Sequence, residues 1–478
     1  MKKIYYLLLI SLLVIGCSKQ VDTVPISKTN DSTKGTIYLL SMKIDGNIDT
    51  LSITKKYSPK ILGTYSNGYV SDITDSVTIT SSDTTVSLNG KNYYGAKSGK
   101  AYFNIKYTSI KDPTISYSLK DTTYVSEIEN VDLSTIPFLS TPSNPNAKII
   151  VPVVVINYYP TNNGIDIDTK RAPGYNSLSP ITIDNMKLRT IDYLNYTKYG
   201  LEEGSKFRGY NNLSQLSNVS FKVVKYINVY EIKKGKMDKI GGIIYQPDYE
   251  TIFNKINMKS LVENNGVKEV WFSLRPISVE YPIVKTENIS PESFINIPES
   301  NMSSPTTGDI SNSWRVPDDL PIYNKTYVVY GYNLETSSGN MIHNRGHQIE
   351  SQLSSFGSFF WSSFGSKGRV GCTHKPPNTT LDYDWNNKTL VESDIEDWKP
   401  TGGTKKLINS DRWINIKLNN LPQLNTTTFD QNDPQYKWLL FWMQSIPGNN
   451  NGITGVNDWW DIFYNWDDAI KGGKKMTN

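Results

Sequence analysis

Two spacings of apolar residues divide this chain. From about residue 36 to 125 apolar and polar positions alternate. "GTIYLLSMKI", "SVTITS", "TVSLNG" and "KAYFNIKYTSI" are short, rich in β-branched and aromatic residues, and separated by Gly, Asn, Asp and Ser. Successive side chains of a strand point to opposite faces, so a period of two predicts strands with one buried face. Turn signals such as Ser66-Asn67-Gly68 fall at the spacing of a sandwich. From about residue 148 the pattern changes. "KIIVPVVVINYYP" is one continuous apolar run, as expected of a strand covered on both faces. "VSFKVVKYINVYEI", "GVKEVWFSLRP" and "KTYVVYGYNLE" read as further strands, and "NVYEIKKGKMDKIGGIIY" as a hairpin. Between them, "ITIDNMKLRTIDYLNYTKYG", "DYETIFNKINMKSLVENNG" and a segment capped by Asn340 carry the helical period. Strands alternating with helices predict an α/β or α+β domain over 148–478. The stretch 126–147, with Pro137, Pro142 and Pro145 among serines and asparagines, reads as a linker or an edge segment.

The C-terminal third is rich in Trp and Asn. "YKWLLFWMQSIPG" has helical period, which makes Trp438, Leu439, Phe441 and Trp442 core candidates. "NDWWDIFYNWDDAIKGG" reads as a last helix with Gly472 near its cap. Trp459, Trp460 and Trp466 within it are read as core, with a sugar-stacking groove as the alternative.

The N-terminus fixes an expected compartment. "MKKIYYLLLISLLVIGC" has two lysines, a short apolar run and a small residue before Cys17. The run is too short to span a bilayer and reads as a secretory signal. Its end, Val14-Ile15-Gly16-Cys17, resembles the lipobox of bacterial lipoproteins. The resemblance implies cleavage before Cys17, lipid on its thiol, and anchorage to a membrane through several acyl chains. Ser18 stands where inner-membrane retention usually needs an acidic residue, so the expected location is the outer membrane, on either face. Residues 18–35 are polar and aperiodic, and are expected to form a flexible tether.

Residues 63–107 carry a second resemblance. "TYSNGYVSDITDSVTITSSDTTVSLNGKNYYGAKSGKAYFNIKY" is similar to a group 2 bacterial immunoglobulin-like domain. It implies an all-β immunoglobulin-like sandwich over 36–125, serving as a spacer or adhesive module. The expected fold class is therefore multidomain: this sandwich, then the α/β (or α+β) domain.

The formal charge is +4, and Lys2 and Lys3 leave with the signal. The +2 that remains by that subtraction argues against a nucleic-acid partner. The chain has two cysteines. With Cys17 acylated, Cys372 has no intramolecular disulfide partner and must be buried, metal-bound or chemically used.

All three histidines fall in one region: His343 and His347 in "HNRGHQIE", and His374 in "GCTHKPPN". On a helix, positions i, i+4 and i+7 lie within roughly 60° of arc, so His343, His347 and Glu350 would share a face. Such spacing hands ligands to one divalent ion, and His374 from a loop would add a distant ligand, leaving a fourth position open. Zinc or another divalent metal is the expected cofactor, bound by His343, His347 and either Glu350 or His374. Gly346 costs the helix about 1 kcal/mol, which predicts close approach of another backbone or of substrate. Arg345 points away from the histidines, toward an acidic neighbour. Glu350, Asp382 and Asp384 are the candidate catalytic carboxylates, the two aspartates sharing a face at i, i+2; Glu299 is a weaker candidate.

The arrangement departs from the families it resembles. A zincin has its glutamate directly after the first histidine, where this chain has Asn344. His347-Gln348-Ile349-Glu350 is similar to the His-x-x-Glu metal pair of zinc carboxypeptidases. The surrounding stretch is similar to secreted microbial proteins of no assigned activity, so it lends none. The reading that follows is a lipid-anchored, metal-dependent hydrolase acting on extracellular peptide or glycan. Two alternatives stand beside it. One is an adhesin or glycan-capture lipoprotein with a structural histidine cluster. The other uses Cys372 as a nucleophile with His374 or His343 as base.

Overall fold

The computed structural model describes residues 37–478 except 47, 82, 171–174, 176–177, 232, 240–242, 274–276, 279–299, 311–319, 335 and 427–431. The chain divides into two compact units between Ser126 and Glu127. Among the described residues no helix is long and apolar enough to cross a membrane.

The N-terminal unit is all β apart from one 3-10 turn. A four-stranded sheet joins Thr50–Ser52, Ser116–Ser126, Gly99–Thr108 and Val77–Ser81, in that order, and two three-stranded sheets complete the unit. The alternation in the sequence becomes alternation in burial. Ala101, Phe103 and Ile105 are buried while Lys100, Tyr102 and Asn104, which alternate with them, face out. Phe103 stacks on Tyr93 from another of the sheets at 4.0 Å between ring centroids. Each such buried side chain stabilises the unit by roughly 1.5–3 kcal/mol.

In the second unit a six-stranded sheet is the frame. Its strands in chain order are β1 (Ile128–Asn130), β2 (Ile149–Tyr158), β3 (Val219–Val229), β4 (Glu269–Ser273), β5 (Ser300–Ser303) and β6 (Tyr327–Tyr332). They lie in the order β1-β3-β2-β4-β6-β5. The pairs β3–β2, β2–β4 and β4–β6 are parallel, and the edges β1 and β5 run antiparallel. The central strands are apolar throughout because both faces are covered. Val151, Val153 and Val155 of β2 pack with helices α1 (Ile183–Gly204), α4 (Gly339–Ser354) and α5 (Pro434–Met443). Val154, Ile156 and Tyr158 pack with α2 (Tyr249–Lys255) and α3 (Met258–Glu263) on the other face. The hairpin also forms, with Lys233–Lys239 pairing antiparallel to Ile243–Pro247.

Several expectations need correction. Of the two readings of 126–147, the edge segment holds and the linker does not: residues 127–147 belong to the second unit. β1 pairs with β3, Ile136 and Leu139 are buried in its core, and Asn144 donates to Ser217 O at 3.0 Å. Pro137 sits in the first turn of a short helix, where its missing N–H costs nothing. The expected helix over 248–266 is two, α2 and α3, because Asn257 is left-handed at φ +55°. The last helix is likewise split, into α6 (Trp459–Tyr464) and α7 (Trp466–Lys471), where Asn465 leaves helical geometry at ψ 44°. Asn340 is not the cap of α4: the helix begins at Gly339, after Ser338.

Candidate metal centre

α4 begins a few residues beyond the C-terminal end of β6, the edge where open α/β sheets bind ligands. Its sheet-facing side is fixed by polar contacts. Asn344 Nδ2 donates to Gly331 O at 2.9 Å. Arg345 forms a buried ion pair with Glu269, and its guanidinium lies over the rings of Tyr330 and Tyr464 at 4.8 and 4.6 Å. With that side committed to the sheet, His343 and His347 project elsewhere, toward the loop around residue 373.

Two glycines and two tryptophans place that loop. Gly371 has φ +80°, and a Cβ there would lie 2.5 Å from Lys375 O. Cys372 N donates to Lys375 O at 2.9 Å and Lys375 N to Cys372 O at 3.2 Å, closing a turn that presents His374. The indole N–H groups of Trp442 and Trp438 on α5 donate to the carbonyls of Gly371 and Cys372, each at 3.2 Å. The tryptophans expected only as core therefore also hold the loop. Gly346 lets it come close: a Cβ at that position would lie 2.5 Å from Thr373 Oγ1. Glu350 completes the attachment, accepting from Thr373 N at 2.7 Å through Oε1.

The three imidazoles meet nitrogen to nitrogen. Nε2 of His347 lies 2.9 Å from Nε2 of His343 and 2.9 Å from Nε2 of His374, and the last two are 3.1 Å apart. A ring nitrogen offers one proton or one lone pair in the ring plane. Three mutually adjacent nitrogens can make one good N–H···N bond, which leaves the third facing a group of its own kind. A cation that accepts all three lone pairs removes that conflict. Zn–N bonds of about 2.0–2.1 Å at tetrahedral angles put ligand nitrogens ~3.3 Å apart, close to this triangle.

The protonation pattern agrees. With Nε2 lone pairs turned inward, each Nδ1 carries the proton. His347 Nδ1 then donates to Glu350 Oε2 at 3.0 Å, the carboxylate–histidine arrangement that fixes a ligand ring. His374 Nδ1 lies 3.6 Å from Asp382 Oδ1. His343 is driven down to about 3 by burial and then by the two neighbouring histidines, so its imidazole is neutral at physiological pH.

The structure thus brings His343, His347 and His374 together and sets the carboxylates apart. Glu350 is behind His347, not beside the Nε2 atoms: at i, i+3 its oxygen meets Nδ1, and its other oxygen is taken by the loop. Both of its oxygens are thus engaged away from the three Nε2 atoms, rather than at the ligand position expected of it. Asp382 is about half exposed, with Lys375 Nζ at 3.3 Å. Asp384 accepts from Thr379 Oγ1 at 3.1 Å and from Asn387 Nδ2 at 2.6 Å, and so holds its own loop. Cys372 is a free thiol of intermediate exposure. Burial first, and then the charge of Glu350, push it up to about 11, which does not suit a nucleophile at neutral pH. Trp459, Trp460 and Trp466 are at most 2% exposed, as core residues are, and Trp466 also borders a cavity of about 370 Å³. Cys17 and Glu299 lie outside the described residues.

One residue at the centre went unnoticed in the sequence. Residues 382–383 form a turn, not an extended segment, so the i, i+2 alternation expected to put Asp382 and Asp384 on one face does not apply, and Tyr383 takes a left-handed backbone at φ +65°. Its hydroxyl lies 3.2 Å from His374 Nε2, and its ring centroid 4.5 Å from that of His374. The motif "LDYDWNN" held the signal, which was read for its carboxylates alone. No protein-family model and no curated protein sequence matches the chain.

Proposed function

We propose that the second unit is a metal-dependent hydrolase of an extracellular polymer, peptide ahead of glycan, carried on a lipid-anchored stalk. The observation that carries this reading is the triangle of three Nε2 atoms within 3.1 Å of one another. Structural zinc sites close around four protein ligands, whereas catalytic sites keep three and an open position. Only these three histidines form a ligand group of their kind among the described residues. His374 is partly exposed, and Tyr383 beside it is 55% exposed, so the centre opens toward solvent. An ion held there would polarise a scissile carbonyl and lower the pKa of bound water to about 7.

Substrate size follows from the surroundings. Three cavities of about 500, 370 and 550 Å³ are lined by other residues, not by these histidines. The side of the centre that reaches solvent is the one formed by His374 and Tyr383, since His343 and His347 are buried, and an opening on one side suits an extended chain laid across it. The N-terminal unit, on its resemblance over 63–107, is proposed as the immunoglobulin-like spacer, and Cys17 as the lipid anchor in the outer membrane. The test is made on a soluble chain starting at Ser18 and lacking a histidine tag. Its zinc content and its cleavage of fluorogenic peptides and polysaccharides are measured. The proposal expects close to one zinc per chain and a chelator-sensitive cleavage that H347A abolishes. A metal-free protein, or cleavage that survives the chelator, would refute it.

A further inference from the structure

We infer that Tyr383 is a catalytic-site residue whose phenol hydroxyl hydrogen-bonds to the oxygen occupying the open position of the ion. The inference rests on the metal-site reading above and adds to it the group that acts beside the histidines.

Three observations point the same way. First, position: the hydroxyl is 3.2 Å from His374 Nε2, the same nitrogen that meets the other two imidazoles. Four polar side-chain atoms thus crowd one small volume. Second, orientation: the ring lies at 29° to the His343 ring, with centroids 6.0 Å apart, and meets Trp385 edge-on at 5.4 Å. Third, backbone: Tyr383 has φ +65°. A bulky residue in the left-handed region costs of order 1–3 kcal/mol and persists only where its surroundings impose it, a pattern that gathers at active sites. Here the imposed contact is Tyr383 N donating to His374 O at 3.0 Å, which ties the tyrosine to the ligand itself.

The chemistry follows from lone-pair accounting. Without an ion, the phenol proton can point to the Nε2 lone pair of His374. Once an ion takes that lone pair, an oxygen on the ion, whether water or the carbonyl of a bound substrate, lies within reach of the phenol hydroxyl. A hydrogen bond there stabilises negative charge that grows on that oxygen as water attacks. No bond to the tyrosine forms or breaks in this role.

The test uses cobalt(II) as a coloured replacement ion and acetohydroxamate as a chelating oxygen ligand, so the natural substrate is not needed. Y383F keeps the ring and removes only the hydroxyl. The expected result is unchanged cobalt(II) stoichiometry and affinity, with acetohydroxamate binding about tenfold weaker, the worth of one hydrogen bond. Equal acetohydroxamate affinity in Y383F would overturn the inference. Loss of cobalt(II) affinity in Y383F as large as in H374A would also overturn it, by making the phenol a fourth ligand. If the wild-type protein binds no cobalt(II), it is the metal-site reading that fails, and the tyrosine inference falls with it.

Discussion

The contact between Gly346 and Thr373 offers the sharpest perturbation of the centre, because it separates the loop's position from the ligands' chemistry. In G346A the new Cβ would lie 2.5 Å from Thr373 Oγ1, 2.9 Å from Cγ2 and 3.2 Å from Cβ. Ordinary contacts begin near 3.4 Å, so Thr373 must retreat by roughly an ångström, and overpacking of this kind costs about 1–3 kcal/mol. The helix recovers about 1 kcal/mol from replacing Gly by Ala, so net destabilisation should be about 0–2 kcal/mol. Thr373 cannot retreat alone. Its N–H is bound to Glu350 at 2.7 Å, and His374 is the next residue. Pulling His374 back opens a triangle whose sides are 2.9–3.1 Å. Disturbing ligand placement costs about 10–100-fold in metal affinity, and that range is the prediction for G346A. Zinc competition against a chromogenic chelator reads it, with thermal unfolding as the control for stability. Thr373→Ala removes the two closest atoms, and the double variant G346A/T373A should recover most of the affinity. G346A with wild-type zinc affinity, or a defect that T373A leaves untouched, would refute the packing argument.

Other variants test the remaining roles. E350Q should lower zinc affinity by about 10–100-fold, because the carboxamide cannot accept both from His347 Nδ1 and from Thr373 N; isothermal titration with zinc checks it. D384A should cost about 1–2 kcal/mol in denaturant unfolding, through loss of its bonds to Thr379 and Asn387, with zinc stoichiometry unchanged. The Cys372 thiol, with its pKa raised to about 11, stays protonated below that pH. At pH 7.5 its thiolate is roughly three parts in ten thousand, so native iodoacetamide labelling should be hundreds of times slower than after unfolding, and should rise about tenfold per pH unit up to about pH 10. Mass spectrometry of the chain from Ser18 follows it, and rapid labelling with loss of activity would revive the nucleophile reading.

Much of this architecture is legible in the pattern of apolar residues. Burial on one face leaves a period of two, as over 99–105, and burial on both faces leaves a continuous run, as in β2. What escaped was set by contacts that a local window does not contain. Ile136 and Leu139 are two apolar residues among prolines and serines, and only the core they enter decides between the linker and the edge-segment readings of this stretch. The breaks at Asn257 and Asn465 interrupt segments whose apolar spacing continues past them. At the centre, helical spacing brought out His343 and His347, but it placed Glu350 on the same face without telling which imidazole nitrogen it would meet. His374 had no spacing relation to the pair, and its arrival depends on Gly346, Gly371 and two tryptophans distant in sequence. Tyr383 was hidden by the two aspartates that flank it.

The central claim is that one cation sits where the three Nε2 atoms converge. The most direct measurement is an anomalous difference map from crystals of the untagged protein prepared with zinc, collected on both sides of the zinc absorption edge. The account predicts a single strong peak about 2.0–2.1 Å from Nε2 of His343, His347 and His374. A map with no peak at that point, or with one that only two of these nitrogens reach, would contradict it.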